Sequence, residues 1–241
     1  MNPKSPENPD TGALRAARLS RRDARLSRRE RPAKAPLSVD AIVAAALDLM
    51  AREGLDGLSL RKVAAALDTG PASLYVYVEN LNALLALMFD RALGKVVIPP
   101  ASKGGWRERL SAILFSCLKV LMSMPGLGQL ALTTAPTGPN SLRMLEAILA
   151  LLREGGADDA RAAWGVDSLL LQFAAIAAEQ DAHHHRAVSF GTMEQVIENI
   201  PAETYPNIHA LRKKLLEGTP RERVRWTIDV MINGVLNTPR T

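Results

Sequence analysis

Residues 38–87, SVDAIVAAALDLMAREGLDGLSLRKVAAALDTGPASLYVYVENLNALLAL, decide the fold. Ser38 is placed to cap a first helix whose apolar Ile42, Ala45, Ala46, Leu49 and Met50 recur at helical spacing, and Gly54 with Gly57 breaks it. Ser59 can cap a short second helix over 60–67, with Val63, Ala64 and Leu67 turned inward and Arg61 and Lys62 outward. Asp68, Thr69 and Gly70 make a tight turn, and Pro71 suits the first position of a third helix because its missing N–H is not needed there. Two helices of about two turns each, joined this closely, predict a helix-turn-helix. In that motif the second helix enters the major groove and the first crosses the backbone. A connecting helix follows from Asn80.

The capped first helix, EGLDGLSLRKVAAAL, the short turn and PASLYVYVENLNALL resemble the TetR family of one-component bacterial repressors, without a gap from about residue 37 to 91. Gly54, Leu58, Arg61, Val63, Ala64, Leu67, Leu74, Tyr75, Asn80, Leu84 and Leu85 fall where the family pattern wants them. The resemblance implies that Ser59 and Arg61, with Lys62 beside them, open the second helix near DNA, and that Pro71, Ala72, Ser73, Tyr75, Val76 and Tyr77 form the reading surface. Chemically, Arg61 can present a bidentate fork to guanine. Ala72 and Val76 can touch thymine methyls, and Ser73, Tyr75 and Tyr77 can donate to phosphates. The alternative for Tyr75 and Tyr77 is that they pack the third helix onto its neighbours. Three positions depart from the family: Asp68 stands for the usual turn glycine, Tyr77 for a common histidine, and Leu81 for a phosphate-anchoring lysine. Aspartate tolerates left-handed backbone better than most residues, so the turn is retained.

Charge is distributed unevenly. Residues 37–94 hold Arg52, Arg61, Lys62 and Arg91 against seven acids, a net of −3, which is unusual for a DNA-reading module. Residues 1–36 hold ten basic and four acidic side chains, a net of +6 beside the whole chain's +5. Within that tail ARLSRRD (17–23) repeats as ARLSRRE (24–30). If helical, Arg15, Arg18, Arg22, Arg25 and Arg29 would line one side and could follow phosphates. Residues 1–12, with three prolines and no apolar pattern, are expected to be disordered. The tail then reads either as an arm reaching around the duplex or into the minor groove, or as a solvated basic leader that adds only solubility and nonspecific affinity. Two heptads are too few for a coiled coil.

The chain of 241 residues, 47% hydrophobic, is long enough for a small module and a larger core. The expected division is a basic arm at 1–36, a helix-turn-helix domain at 37–95 and a helical ligand-binding and dimerisation domain at 96–241, an all-α protein throughout. No apolar run reaches a membrane span and no signal-peptide region follows the arginines, so a cytoplasmic protein is expected. The lone Cys117 excludes an internal disulfide and reads as a buried hydrophobe or, alternatively, a redox switch.

VVIPPASKGG at 96–105 is a junction, after which the pattern predicts helices over 106–124, 127–133, 141–153, 160–182 and 220–236. The centre of the longest, LLLQFAAIAA, is apolar on nearly every side. The last carries Val224, Trp226, Ile228, Met231, Ile232 and Val235, more apolar surface than one core face requires. These two helices could form a four-helix bundle across a two-fold axis. The family resemblance implies that dimer, which two half-sites of a palindromic operator also demand.

WRERL, the PTGPN turn and the Ala-rich helix are similar to the tetracycline-repressor type of ligand domain, although its metal-binding histidine aligns with Ala131 and its polar drug contacts with Ile113 and Cys117. An apolar pocket is the better expectation, lined by Phe89, Ile113, Phe115, Cys117, Leu121, Met144, Trp164 and Phe173; each of these also reads as plain core. His183, His184 and His185 follow Glu179 and Asp181, but consecutive helical side chains point about 100° apart and cannot converge on one ion without a break or a partner chain, the same-face pairs being only Glu179 with His183 and Asp181 with His185. A solvated helix end is the simpler reading. No metal and no cofactor is expected.

No phosphate loop or nucleophile elbow suggests an enzyme. The expected protein is a homodimeric repressor that binds a double-stranded DNA operator and is released by a small-molecule effector. The competing expectation is a nonspecific DNA-coating protein driven by the tail.

Overall fold

A computed structural model describes residues 36–186 and 190–239, with backbone alone for 182–186 and 190–193. Every element among the described residues is a helix. The first four are α1 (Val39–Glu53), α2 (Leu60–Ala66), α3 (Pro71–Leu74) and α4 (Leu81–Leu93). They close around Ile42, Met50, Val63, Ala64, Leu74, Leu84 and Met88, all buried, which is the periodic apolar stripe of each helix turned inward.

The local signals act largely as the sequence predicts. Gly54 takes the left-handed conformation at φ 76° and donates to the Met50 carbonyl at 2.9 Å, ending α1. The Ser59 hydroxyl accepts from the Lys62 N–H at 3.3 Å at the start of α2. Asp68 adopts φ 50°, and the N–H groups of Asp68 and Thr69 bond the Ala65 and Ala64 carbonyls at 3.0 and 2.9 Å. This is the Schellman pattern that a glycine would ordinarily serve.

One expectation fails: α3 is a single α-turn. After Leu74 the chain tightens into a bend in which Tyr77 and Val78 both donate to the Leu74 carbonyl at 2.9 Å. Aromatic and β-branched residues over 75–78 lose side-chain freedom in a helix, and Asn80 must be extended to cap α4 by accepting from the Ala83 N–H at 2.9 Å.

The remaining helices are α5 (Trp106–Leu121), α6 (Leu127–Thr133), α7 (Pro139–Glu154), α8 (Asp159–Arg186), α9 (Phe190–Glu198), α10 (Pro206–Leu216) and α11 (Pro220–Asn237). α5 stops three residues earlier than expected, α7 starts at its proline, and α8 continues through the histidines to Arg186. α9 and α10 were not anticipated. α8 is the spine, packed by α5, α6, α7 and α11, while α4 bridges α1 to α5, α6 and α7. No helix among the described residues is long and apolar enough to cross a membrane.

The tightest crossing is α6 on α8. A Cβ on Gly128 would lie 2.4 Å from the Ala178 amide nitrogen and 2.5 Å from the Ala177 carbonyl carbon. Backbone cannot yield as a flexible side chain does, so Gly128→Ala is expected to destabilise the fold by about 1–3 kcal/mol. Urea denaturation would measure this, and an unchanged midpoint would contradict it.

Candidate DNA-reading surface and effector domain

Leu74 is the anchor of the reading segment, wholly buried, while the residues around it face solvent. Pro71, Ala72 and Ser73 are exposed, as are Tyr75 at 57%, Val76 at 81% and Tyr77 at 40%. The two tyrosines therefore do not pack as core between helices. Arg61 is exposed on α2, and Ser59 is half-buried with its hydroxyl accepting the cap hydrogen bond. Lys62 points outward too, but its Nζ pairs with Glu53 Oε2 at 2.7 Å. An exposed pair of this kind is worth little and gives way readily to a stronger anion. The candidate arginines Arg18, Arg22, Arg25 and Arg29 lie outside the described residues.

Of the effector-pocket candidates, Phe89 on α4, Ile113, Cys117 and Leu121 on α5, Met144 on α7 and Phe173 on α8 are all buried where these helices meet, and Phe115 is half-buried. Burial pushes the Cys117 thiol up to about 12, which leaves it a small hydrophobe with no thiolate at neutral pH. Trp164 stands apart from the group, 57% exposed on the outer side of α8. The nearby Leu171 is 59% exposed, and on α11 Trp226 is 69% and Val230 46% exposed. The two helices carrying this outer apolar surface are held closely: a Cβ on Gly165 would meet Val235 Cγ1 at 2.6 Å, and the Arg161 guanidinium donates to the Leu236 carbonyl.

Two acids do work that sequence patterns did not assign. Asp181, considered above beside the histidines, accepts from the Gly126 N–H at 2.9 Å and so caps α6. The histidine side chains lie outside the described ones. Among the described residues no group of three His, Cys, Asp or Glu could hold a metal ion. Asp90, near the end of α4, is buried and caps α7: it accepts from the Ser141 N–H and hydroxyl at 2.8 and 2.9 Å and from Asn140 Nδ2 at 3.0 Å. Burial raises its pKa, but the Ser141 and Asn140 hydrogen bonds outweigh that and hold the carboxyl below its ordinary value. The clue in the sequence is that α7 opens on Gly138 and Pro139, with no capping side chain of its own.

A helix-turn-helix head joined by one helix to a larger helical body defines a class of DNA-binding proteins. Residues 42–87 match the model of bacterial regulatory proteins of the tetR family, and residues 98–238 match that of the tetracyclin repressor-like C-terminal domain. The chain belongs to the TetR family. It is 38% identical over 133 residues to the HTH-type transcriptional repressor DrrR1 of Streptomyces coeruleorubidus, a match covering 54% of this chain and 49% of that protein. The chain spans about half the length of the curated relatives it matches. Among solved structures, apo ActR from Streptomyces coelicolor superposes with a TM-score of 0.77 at 35% identity, over 85% of this chain and 97% of ActR. ActR in complex with actinorhodin gives 0.76 at 33% identity, over 84% and 98%.

Proposed function

We propose that this protein is a ligand-responsive transcriptional regulator, a homodimeric repressor released from a palindromic operator by a small-molecule effector. Segment 71–77 carries this function best: it buries Leu74 and offers its other side chains to solvent. In this reading residues 37–95 are the DNA-binding domain and 96–241 bind effector and partner. It works in the cytoplasm, where its operator is. The exposed Trp164 and Leu171 on α8 and Trp226 and Val230 on α11, two helices that pack together, support a second copy packing there, since exposed large apolar side chains concentrated on neighbouring helices mark an interface. The ActR complex with actinorhodin supports an effector for this chain, though not its identity. An effector that binds better to the head spacing unsuited to the operator lowers DNA affinity by linkage; one that binds both states equally does nothing.

The uneven charge favours a second reading, nonspecific coating of DNA through the +6 tail while the −3 head reads nothing. Deleting residues 1–36 separates the two. The repressor is expected to bind more weakly, with a shallower salt dependence, but to keep its choice of sequence. Loss of all binding on deletion would favour the coating protein.

A further inference from the structure

The reading head meets the larger body along α4 and where Met50 and Leu55 approach Gly126, so the seat of α4 on the body is a main determinant of where the head sits. α4 is tied to the head along its length: Leu84 and Met88 are buried in the head's core, and in its last turn Arg91 Nη1 pairs with Asp40 Oδ1 of α1 at 2.8 Å. The ties to α7 run from that same C-terminal end. Asp90 holds Ser141 and Asn140 as described, and Arg143 Nη2 donates to the Val96 carbonyl just beyond α4 at 3.2 Å. The space for this contact is built in, because a Cβ on Gly138 would fall 2.2 Å from the Asp90 carboxylate carbon. Asp90 and Ser141 are the two buried polar residues among the described ones.

A carboxylate is a poor choice if adhesion alone is wanted, since apolar pairs of similar volume hold helices together at least as well. What it supplies is direction: two oxygens facing fixed donors allow one register of α4 on α7, whereas a greasy contact lets the helices slide. We propose that Asp90 is a positioning residue for operator recognition, locking α4 to the first turn of α7 and thereby setting the half-site spacing that the dimer accepts. This rests on the dimeric operator-binding reading above.

The test uses the full chain, the variants Asp90→Asn and Ser141→Ala, and Ile148→Val as a control that trims the buried face of α7 away from the latch. Operators are selected from random duplex DNA by the unsubstituted protein, and affinity is measured for the selected site and for versions with half-sites moved by one base pair. The unsubstituted protein and the control are expected to lose about tenfold or more on the shift, and Asp90→Asn less than about threefold, with Ser141→Ala between them. An Asp90→Asn protein that is as spacing-sensitive as its parent overturns the proposal.

A second measurement needs no DNA. Spin labels at Ala66→Cys on α2 and Glu146→Cys on α7, in a Cys117→Ala background diluted into unlabelled protein, report the head-to-body distance. Its distribution is expected to broaden in both latch variants and not in the control; unchanged widths would overturn the latch. If no specific DNA is selected but the distances broaden, the regulator reading fails and the mechanical role stands.

Discussion

Replacing Phe173 with alanine is expected to lower the free energy of unfolding by about 3–5 kcal/mol, and for a chain of this size the melting temperature by about 6–20 °C. Phe173 is fully buried on the inner face of α8, beside Leu169 and Ala177, where the spine meets α5, α6 and α7. Removing the ring forfeits its transfer from water and leaves a void that helices anchored at Gly128 and Gly165 cannot close by sliding inward. Chemical denaturation measures the effect, and the result separates two readings of the residue. A loss in the expected range means packed core. A loss below about 1 kcal/mol would mean that the ring borders open space and lines an effector cavity.

Trp226→Asp is expected to break the proposed dimer without unfolding the protomer. The indole is largely exposed in the single chain, so little packing is lost there, whereas a buried interface tryptophan typically contributes 2 kcal/mol or more. Two-fold symmetry places the substitution in the interface twice. Self-association should therefore weaken by at least about 30-fold, with a parallel loss of operator affinity because one head alone reads one half-site. Sedimentation velocity with circular dichroism decides it. A variant that keeps its helicity and still sediments as the parent does would remove α11 from the interface.

The head was the most legible part of the chain because its signals are local. Gly54, Ser59 and Pro71 act on backbone within four residues of themselves and the structure uses each as predicted, while Asn80, expected only near the start of its helix, caps it. The shortening of α3 was legible only in part, since the propensity of Tyr75 to Val78 competes with the family pattern. α10 was missed although Pro206 stands at its first turn and Ile208, Leu211 and Leu215 repeat at helical spacing. That pattern is as strong as others that were read, but its apolar residues stay exposed in the single chain. Asp90 was not legible as a cap, because it and Ser141 are 51 residues apart and only the packing of α4 on α7 joins them. Trp164 reads as a pocket residue in the sequence for a similar reason: an aromatic residue on an Ala-rich helix does not reveal which face is covered.

Whether the head reads sequence is open to direct measurement. The direct measurement is binding of purified protein to fragments of the DNA flanking its own gene, at about 150 mM salt with excess nonspecific competitor. One palindromic fragment is expected to be retained, with an even number of chains bound to it. Binding of every fragment at low salt with none surviving competitor would contradict it, and would assign the DNA affinity to the arginine-rich tail.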